Sequence, residues 1–105
     1  MTLHPRETLP NRRPSESFIF EHESVAYHAT ISRFPNGSIA ELFLDAGKIG
    51  SAVNVMAHDA AVVFSIARQY GTPLESSKSA LLKLEDNSCA GAIGRALEIA
   101  DEVRT

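Results

Sequence analysis

The segment that decides the fold reads VAYHATISRFPNGSIAELFLD and runs from Val25 to Asp45. Apolar and polar residues alternate on both sides of Asn36-Gly37, which is the period of a β-strand with one buried face. Asn-Gly is favoured in a two-residue type I′ turn, because both central positions need a positive φ. The segment therefore predicts an antiparallel hairpin in which His28 lies opposite Asp45.

The predicted hairpin sorts its side chains onto two faces of the sheet. The face assigned to the core carries Val25, Tyr27, Ala29, Ile31, Ala40, Leu42 and Leu44. The opposite face is polar except for three large apolar residues, Phe34, Ile39 and Phe43. Three such residues are more than a solvated face usually shows. We predict that they form an interface with a second subunit or another partner, or else that they only shield the sheet.

The flanking segments complete the set of elements. An aromatic run at residues 18–20 predicts a strand before the hairpin. After Asp45 the apolar spacing becomes helical and predicts a helix from about Ser51 to Tyr70. We expect its apolar stripe to face the sheet, and that stripe consists of Val53, Met56, Ala57, Ala60, Phe64 and Ala67.

Two further helices follow in the predicted order. Thr72-Pro-Leu-Glu75 has the pattern of a capping box and predicts a second helix that ends near Glu85. A third amphipathic segment begins near Ser88 and continues to the C terminus. The predicted fold class is therefore α+β, a three-stranded antiparallel sheet followed by three helices packed on one face.

The composition limits the function classes. The chain has 105 residues, of which 44% are apolar and 22% charged, which predicts one domain and excludes a large enzyme working alone. Residues 1–16 hold three prolines and three arginines and predict a flexible basic arm before a single domain at 17–105. A net charge of −3 argues against a dedicated nucleic-acid binder. The single cysteine and the lack of a signal or membrane-spanning pattern predict a cytoplasmic protein.

The connection from the third strand to the first helix is the first candidate site. Its residues 47–51 read GKIGS. Two glycines let backbone N–H groups approach an anion, the helix start adds partial positive charge, and a lysine and a serine supply a cation and a hydroxyl. We predict that a phosphate or nucleotide binds here, or that the segment is only a tight turn with a serine cap. The residues concerned are Gly47, Lys48, Gly50 and Ser51.

Two other sets of residues suggest chemistry. His28, Asp45 and Lys48 would form a small catalytic cluster if they converged, although a structural cross-strand pair is the better explanation of His28 and Asp45. No histidine lies at a metal-binding spacing from another, so we expect no metal site and no cofactor. Cys89 at the start of the third helix is either a reactive thiolate or an inert core residue.

Several short strings, taken in order, resemble the TSCPD domain, best known as a C-terminal module of adenosylcobalamin-dependent ribonucleotide reductases. They are Glu41-Leu-Phe-Leu44, Gly47-Lys-Ile-Gly-Ser51, Ser65-Ile-Ala67 and Gly71-Thr-Pro-Leu-Glu75. The motif that names the family is kept only in Ser88 and Cys89, without its proline and aspartate. Leu9-Pro-Asn-Arg-Arg13 is similar to the start of small standalone bacterial members.

The resemblance implies a fold and an association with nucleotide metabolism. The family places its radical and reducing cysteines in a large barrel domain, so the resemblance does not imply that this chain reduces nucleotides. We therefore expect a non-catalytic accessory or regulatory module that acts through protein contacts, as a dimer or with a larger partner, and through a phosphate or nucleotide ligand. A nucleic-acid-associated protein that uses the basic arm is the first alternative. A small enzyme built on His28, Asp45 and Lys48 is the second.

Overall fold

The computed structural model describes residues 5–46 and 50–103. Three strands precede three helices along the chain, which confirms the predicted α+β class. The elements are β1 (Glu16–His22), β2 (Val25–Arg33), β3 (Ile39–Ala46), α1 (Ala52–Gln69), α2 (Leu74–Ala80) and α3 (Ala92–Val103).

The sheet is antiparallel with the strand order β1-β2-β3. The predicted pairings of Ile31 with Leu42, of Ala29 with Leu44 and of His28 with Asp45 are confirmed. Helix α1 packs along β3, and α3 contacts β1, β2 and α1. The core cluster there includes Phe20, Tyr27, Ala29, Ile31, Leu42, Leu44, Ala61, Phe64, Ala96, Leu97 and Ala100.

The hairpin loop between β2 and β3 differs from the predicted two-residue turn. The Phe34 N–H donates to the Ser38 carbonyl (2.8 Å), and the Gly37 N–H donates to the Phe34 carbonyl (2.8 Å). Three residues therefore form the loop, and Gly37, with φ of 90°, takes the left-handed conformation at its end. Pro35 explains the change, because its fixed φ suits the second position of a type I turn.

A bulge follows from this longer loop. Arg33 pairs with Ile39 and Ser32 pairs with Glu41, so Ala40 has no partner in the register. Because neighbouring residues of a strand point to opposite faces, the extra residue moves Ile39 to the other side of the sheet. The prediction that Ile39 lies on the open face is therefore wrong, since it is 1% exposed and belongs to the core cluster.

Helix α1 packs against β3 and also satisfies the backbone along its outer edge. The Ser65 hydroxyl accepts from the Leu42 N–H (2.8 Å), and its one proton is shared between the Leu42 carbonyl (2.9 Å) and the Ala61 carbonyl (2.8 Å). Asn54 Oδ1 accepts from the Ala46 N–H (2.9 Å), and Arg68 Nε donates to the Ile39 carbonyl (2.8 Å). Three polar side chains of one helix thus occupy backbone groups that an edge strand otherwise leaves unpaired.

The segment after α1 is less helical than predicted. Helix α2 ends at Ala80, starts after Pro73 and has no side-chain cap, so the capping box with Thr72 and Glu75 does not form. Beyond it, Lys83 pairs with Cys89 in an isolated antiparallel bridge, closed by a turn in which Asn87 has a φ of 70°. The helix prediction failed here because the backbone of residues 82–90 bonds to itself across this bridge.

The described part of the N-terminal arm is attached to the domain at two places. At the end of α1, Arg6 Nε donates to Gln69 Oε1 (2.8 Å) and the Glu7 N–H donates to the Gln69 carbonyl (2.7 Å). On the open face of the sheet, Arg13 forms an ion pair with Glu41. This attachment was not predicted, because the partners lie 63 and 28 positions away along the chain.

Candidate functional site

The predicted anion site is described only in part. Gly47 and Lys48 lie outside the described residues. Gly50 has a φ of 82°, with no atom within 4 Å of the place where a Cβ would stand. The Ser51 hydroxyl accepts from the Asn54 N–H (3.2 Å), which confirms Ser51 as the N-cap of α1. The described half therefore forms a capped helix start with open space beside its glycine, and the anion cradle stays a prediction.

The predicted catalytic cluster is brought together only as a cross-strand pair. His28 and Asp45 lie opposite each other in the register, and both are exposed. Within the described ranges, no ion pair within 4.0 Å joins them, and Lys48 lies outside those ranges. His28 and Asp45 both line a shallow cavity of about 420 Å³, and the catalytic cluster with Lys48 stays a prediction.

Ser88 and Cys89 lie in the turn before α3 rather than in the helix. The Ser88 N–H donates to Asp86 Oδ1 (2.9 Å), and the Cys89 thiol donates to Glu98 Oε1. Burial and this hydrogen bond to Glu98 raise the pKa of the Cys89 thiol. The same hydrogen bond, together with Arg95 Nη1 at 3.1 Å from Oε2, lowers the pKa of the Glu98 carboxyl.

This arrangement holds the proton on sulfur and the negative charge on Glu98. Because the thiolate is the nucleophile, a raised thiol pKa makes Cys89 a poor one near neutral pH. The Cys89 side chain packs closely against Gly94. A side chain at position 94 would collide with it, since a Cβ there would stand 2.9 Å from the Cys89 sulfur. The contacts therefore favour an inert, packed cysteine over a reactive thiolate.

The three predicted interface residues do not share one exposed patch. Ile39 is in the core, and Phe34 is half-buried beneath the guanidinium of Arg68, 5.5 Å from its ring centre. Phe43 remains on the open face and is 37% exposed. At one end of that face the arm supplies cover, because Glu41, paired with Arg13, is only 4% exposed. Part of the apolar face is thus covered from within the same chain.

A cleft that the sequence does not predict lies between the arm, the β2–β3 loop and the end of α1. Its volume is about 750 Å³. Two arginines and two aromatic rings contribute to its walls, namely Arg6, Arg68, Phe34 and Tyr70. Each guanidinium lies over a ring, with Arg6 6.0 Å from the centre of Tyr70 and Arg68 over Phe34.

Arg68 is the most unusual group in this cleft. It is 8% exposed, and burial lowers its pKa. Its guanidinium donates to two carbonyls, those of Ile39 (2.8 Å) and Thr72 (2.6 Å). Across residues 5–46 and 50–103 no carboxylate lies within 4.0 Å of it, although buried charges are normally paired. The cleft therefore carries a positive charge that no described acid compensates by direct contact.

One signal in the sequence could have indicated this group. Arg68 follows Phe64 by four positions on a helix whose other apolar residues predict burial, so it falls on the same side of α1 as a core aromatic. An arginine in that position is either held by backbone carbonyls or paired with an anion. Arg6 had no comparable signal, because the path of the arm is set by its tertiary contacts.

Comparison with curated proteins gives a consistent result. The chain is 38% identical over 73 residues to the vitamin B12-dependent ribonucleotide reductase of Agrobacterium fabrum, and the match covers 67% of this chain. The corresponding reductase of Rhodopirellula baltica is 33% identical over 70 residues, again 67% of the chain, and that of Streptantibioticus cattleyicolor is 31% identical over 71 residues, 68% of the chain. This chain is a relative of one short segment of these reductases.

The match confirms the predicted relation to the reductases and is consistent with a TSCPD-like module. The chain spans only 6%, 7% and 12% of the length of these three relatives. No family model matches the chain, and no solved structure matches it.

Neither a metal-ligand group nor a membrane-spanning helix occurs among the described residues. Within the described ranges no group of three or more histidine, cysteine or acidic side chains is placed to hold a metal ion. None of the described helices combines the length and the apolar character needed to cross a lipid bilayer.

Proposed function

We propose that this chain is a non-catalytic accessory or regulatory module of ribonucleotide reduction, which acts through contact with a protein partner and through a phosphate-bearing ligand such as a nucleotide. The observation that carries the proposal is the similarity of two thirds of the chain to a short segment of vitamin B12-dependent ribonucleotide reductases. A segment of that size is one module of a much larger protein, so a role in assisting or regulating fits it better than the whole reaction.

The contacts of the candidate catalytic residues support the proposal that the chain is not itself catalytic. Reduction by a thiol needs a thiolate, and Cys89 instead donates its proton toward Glu98. Among the described residues, His28 and Asp45 are exposed and are not joined into a hydrogen-bonded pair.

The ligand part is best supported by the cleft of Arg6 and Arg68. Guanidinium groups bind phosphate oxygens through charge-assisted hydrogen bonds, and the rings of Phe34 and Tyr70 offer flat apolar surface for a base. Glu7 also lines the cleft, so two cations there face one acid. The Gly-Lys segment with Gly47, Lys48, Gly50 and Ser51 is the second place for the same ligand chemistry.

Thermal-shift and calorimetric titrations with ATP, dATP and inorganic tripolyphosphate test the ligand. We expect a rise in Tm with a nucleotide and about a tenfold loss of affinity in Arg6→Ala, because one charge-assisted contact is removed. Arg12→Ala is the matched control from the same arm and should bind as the wild type. If Lys48→Ala loses binding and Arg6→Ala binds with the affinity of the wild type, the ligand binds at the Gly-Lys segment and not in the cleft. No response to any of the three anions would refute the ligand.

The partner is tested with a purified vitamin B12-dependent ribonucleotide reductase. We expect the chain to bind the reductase in a sedimentation experiment and to change its turnover or its response to nucleotides. A control uses the same chain unfolded by the Leu42→Asp substitution at a core position. Absence of both binding and any effect on turnover would contradict the accessory role.

The arm contacts weigh against the nucleic-acid alternative. Arg13 forms an ion pair with Glu41, so its charge is already matched by an acid of the domain. Binding to nucleic acid that falls steeply with salt and disappears when residues 1–16 are deleted would restore that alternative.

A further inference from the structure

The outward face of α1 carries a continuous apolar stripe. The outer stripe consists of Val53, Met56, Ala60, Val63, Ala67 and Tyr70, spaced alternately by three and four residues. Met56 is 72% exposed and Val63 is 67% exposed. This is the seam pattern of two packed helices, and none of the elements in residues 5–46 and 50–103 covers it.

The exposure is a consequence of how α1 binds the sheet. Asn54, Ser65 and Arg68 must point toward β3 to bond its backbone. Those side chains fix the rotation of the helix, and the outer stripe is thereby turned away from the core. The chain cannot bury the outer stripe by rotating α1, because that rotation would break these hydrogen bonds to β3.

The exposed area is close to what a stable interface needs. The larger residues of this face are between 40% and 72% exposed, and together they present roughly 500 Å² of surface, in the upper part of the range for the largest apolar patch of a monomeric protein. They are Val53, Met56, Val63, Ile66 and Tyr70. A standard interface buries about 800 Å² per partner, of which about 60% is apolar, or near 480 Å². The face of α1 therefore supplies the apolar part of one standard interface.

The stripe is also complementary to itself when two copies run antiparallel. In one register, Met56 meets Ala67 of a second copy, Val63 meets Ala60, and Val53 meets Tyr70. A large residue thus faces a smaller one at each level, and the two helix dipoles oppose each other favourably. A parallel pair would instead place Met56 against Met56 and Ala60 against Ala60, with crowding at one level and a gap at the next.

The charges on this face do not oppose the pairing. Asp59 and His58 are the ionisable residues on the exposed side of α1. In the antiparallel register, Asp59 lies opposite position 64 of the second copy, about 7 Å along the axis from the other Asp59. Through water, two carboxylates at that spacing repel each other by less than about 1 kcal/mol, which is too little to prevent the pairing.

We infer that this chain forms a two-fold dimer through antiparallel contact of the outer stripe of α1 with the same stripe of a second copy. The inference rests on the proposed action through protein contacts and names the partner and the surface. It places the interface on α1 rather than on the sheet face around Phe43.

Light scattering and sedimentation of the full chain test the dimer directly. We expect a dimeric mass for the wild type and a monomeric mass for Val63→Glu, with association weakened about 100-fold, because a buried charge enters the centre of the contact. Leu82→Glu is the control, since Leu82 is exposed and apolar but lies outside α1. It should remain a dimer with an unchanged circular dichroism spectrum.

Cysteine cross-linking tests the orientation in a Cys89→Ser background. Met56→Cys and Ala67→Cys chains, mixed one to one, should form a mixed disulfide dimer under mild oxidation. Each variant alone should not, because identical positions lie about 16 Å apart along an antiparallel pair. Efficient cross-linking of Met56→Cys to itself would overturn the antiparallel contact.

Two results would overturn the inference as a whole. One is a monomeric wild type at 100 μM chain, a concentration about a hundredfold above a micromolar Kd. The other is a dimer that persists in Val63→Glu but dissociates in Phe43→Glu, which would place the interface on the open sheet face. Either result leaves ligand binding and reductase binding unaffected, so failure of the dimer is distinguishable from failure of the proposed function.

Discussion

Both faces of α1 are mixed in polarity, unlike those of an ordinary surface helix. The face against β3 carries Asn54, Ser65 and Arg68 among its apolar residues, and each of the three bonds the backbone of the strand. The face toward solvent carries Val53, Met56 and Val63. A surface helix normally places its apolar stripe inward and its polar residues outward.

The difference shows that two demands compete for the rotation of one helix. Burial of the outer stripe would gain hydrophobic free energy, but the edge of β3 would then lose its hydrogen-bond partners. Since an unpaired buried backbone group costs more than one exposed valine gains, the polar contacts decide the rotation. The apolar surface that remains outside is then available to a second protein.

Removal of a core aromatic from the inner face should have the largest effect. Phe64→Ala is expected to lower the free energy of unfolding by about 4 kcal/mol, because Phe64 is buried in the core cluster. Met56→Ala, on the outer face, should change it by less than about 0.5 kcal/mol. Urea unfolding in the Val63→Glu background, where the outer face has no partner, measures both. Equal losses would remove the distinction between the faces.

Loss of the serine that bonds β3 should have an intermediate effect. Ser65→Val replaces the hydroxyl by a methyl group and adds a second one, and it leaves the N–H and the carbonyl of Leu42 without the Ser65 hydroxyl, so we expect a loss of about 2 kcal/mol. Ser79→Val on the exposed side of α2 is the control and should stay within about 0.5 kcal/mol. A stability for Ser65→Val at or above that of the wild type would show that hydrophobic packing, not the edge contact, orients α1.

Loss of the asparagine should have the smallest effect of the three. Asn54→Ala removes one hydrogen bond, from the Ala46 N–H at the end of the strand, and should cost about 1 kcal/mol. His58→Ala, exposed on the same helix, should cost less than half as much. Hydrogen exchange of the Ala46 amide provides a second measurement. We expect it to exchange faster in Asn54→Ala, and unchanged protection would contradict its bond to Asn54.

The sequence was sufficient for the class of fold and for most strand pairings. Alternation around Asn36 and Gly37 fixes which residues share a face, and the register between Ala29 and Leu44 follows from it. The faces near the loop could not be predicted, because the conformation at Pro35 lengthens the loop by one residue. That single residue moves Ile39 from the predicted interface into the core.

The orientation of α1 could not be predicted from the sequence, for a different reason. Periodicity predicted the extent of α1, but the prediction that its apolar stripe faces the sheet is wrong for Val53, Met56 and Ala60, which are exposed. Of the predicted stripe, Phe64 lies in the core cluster and Ala57 packs against that cluster. Periodicity does not say which way a stripe points. The direction depends on hydrogen bonds from Ser65 and Arg68 to a strand more than 20 positions away. The cleft of Arg6 and Arg68 was missed for the same reason, because it exists only once the arm, the loop and the helix end come together.

The hydrogen bonds between α1 and β3 bear on how this protein would aggregate. A local opening that lifts α1 leaves a bare strand edge beside a freshly exposed apolar face, and this combination is a template for strand addition from another chain. Such an opening needs less free energy than complete unfolding. The rate of aggregation is therefore set by how often α1 detaches, and a contact that holds α1 in place, including a partner on its outer stripe, protects the chain in storage and in the cell.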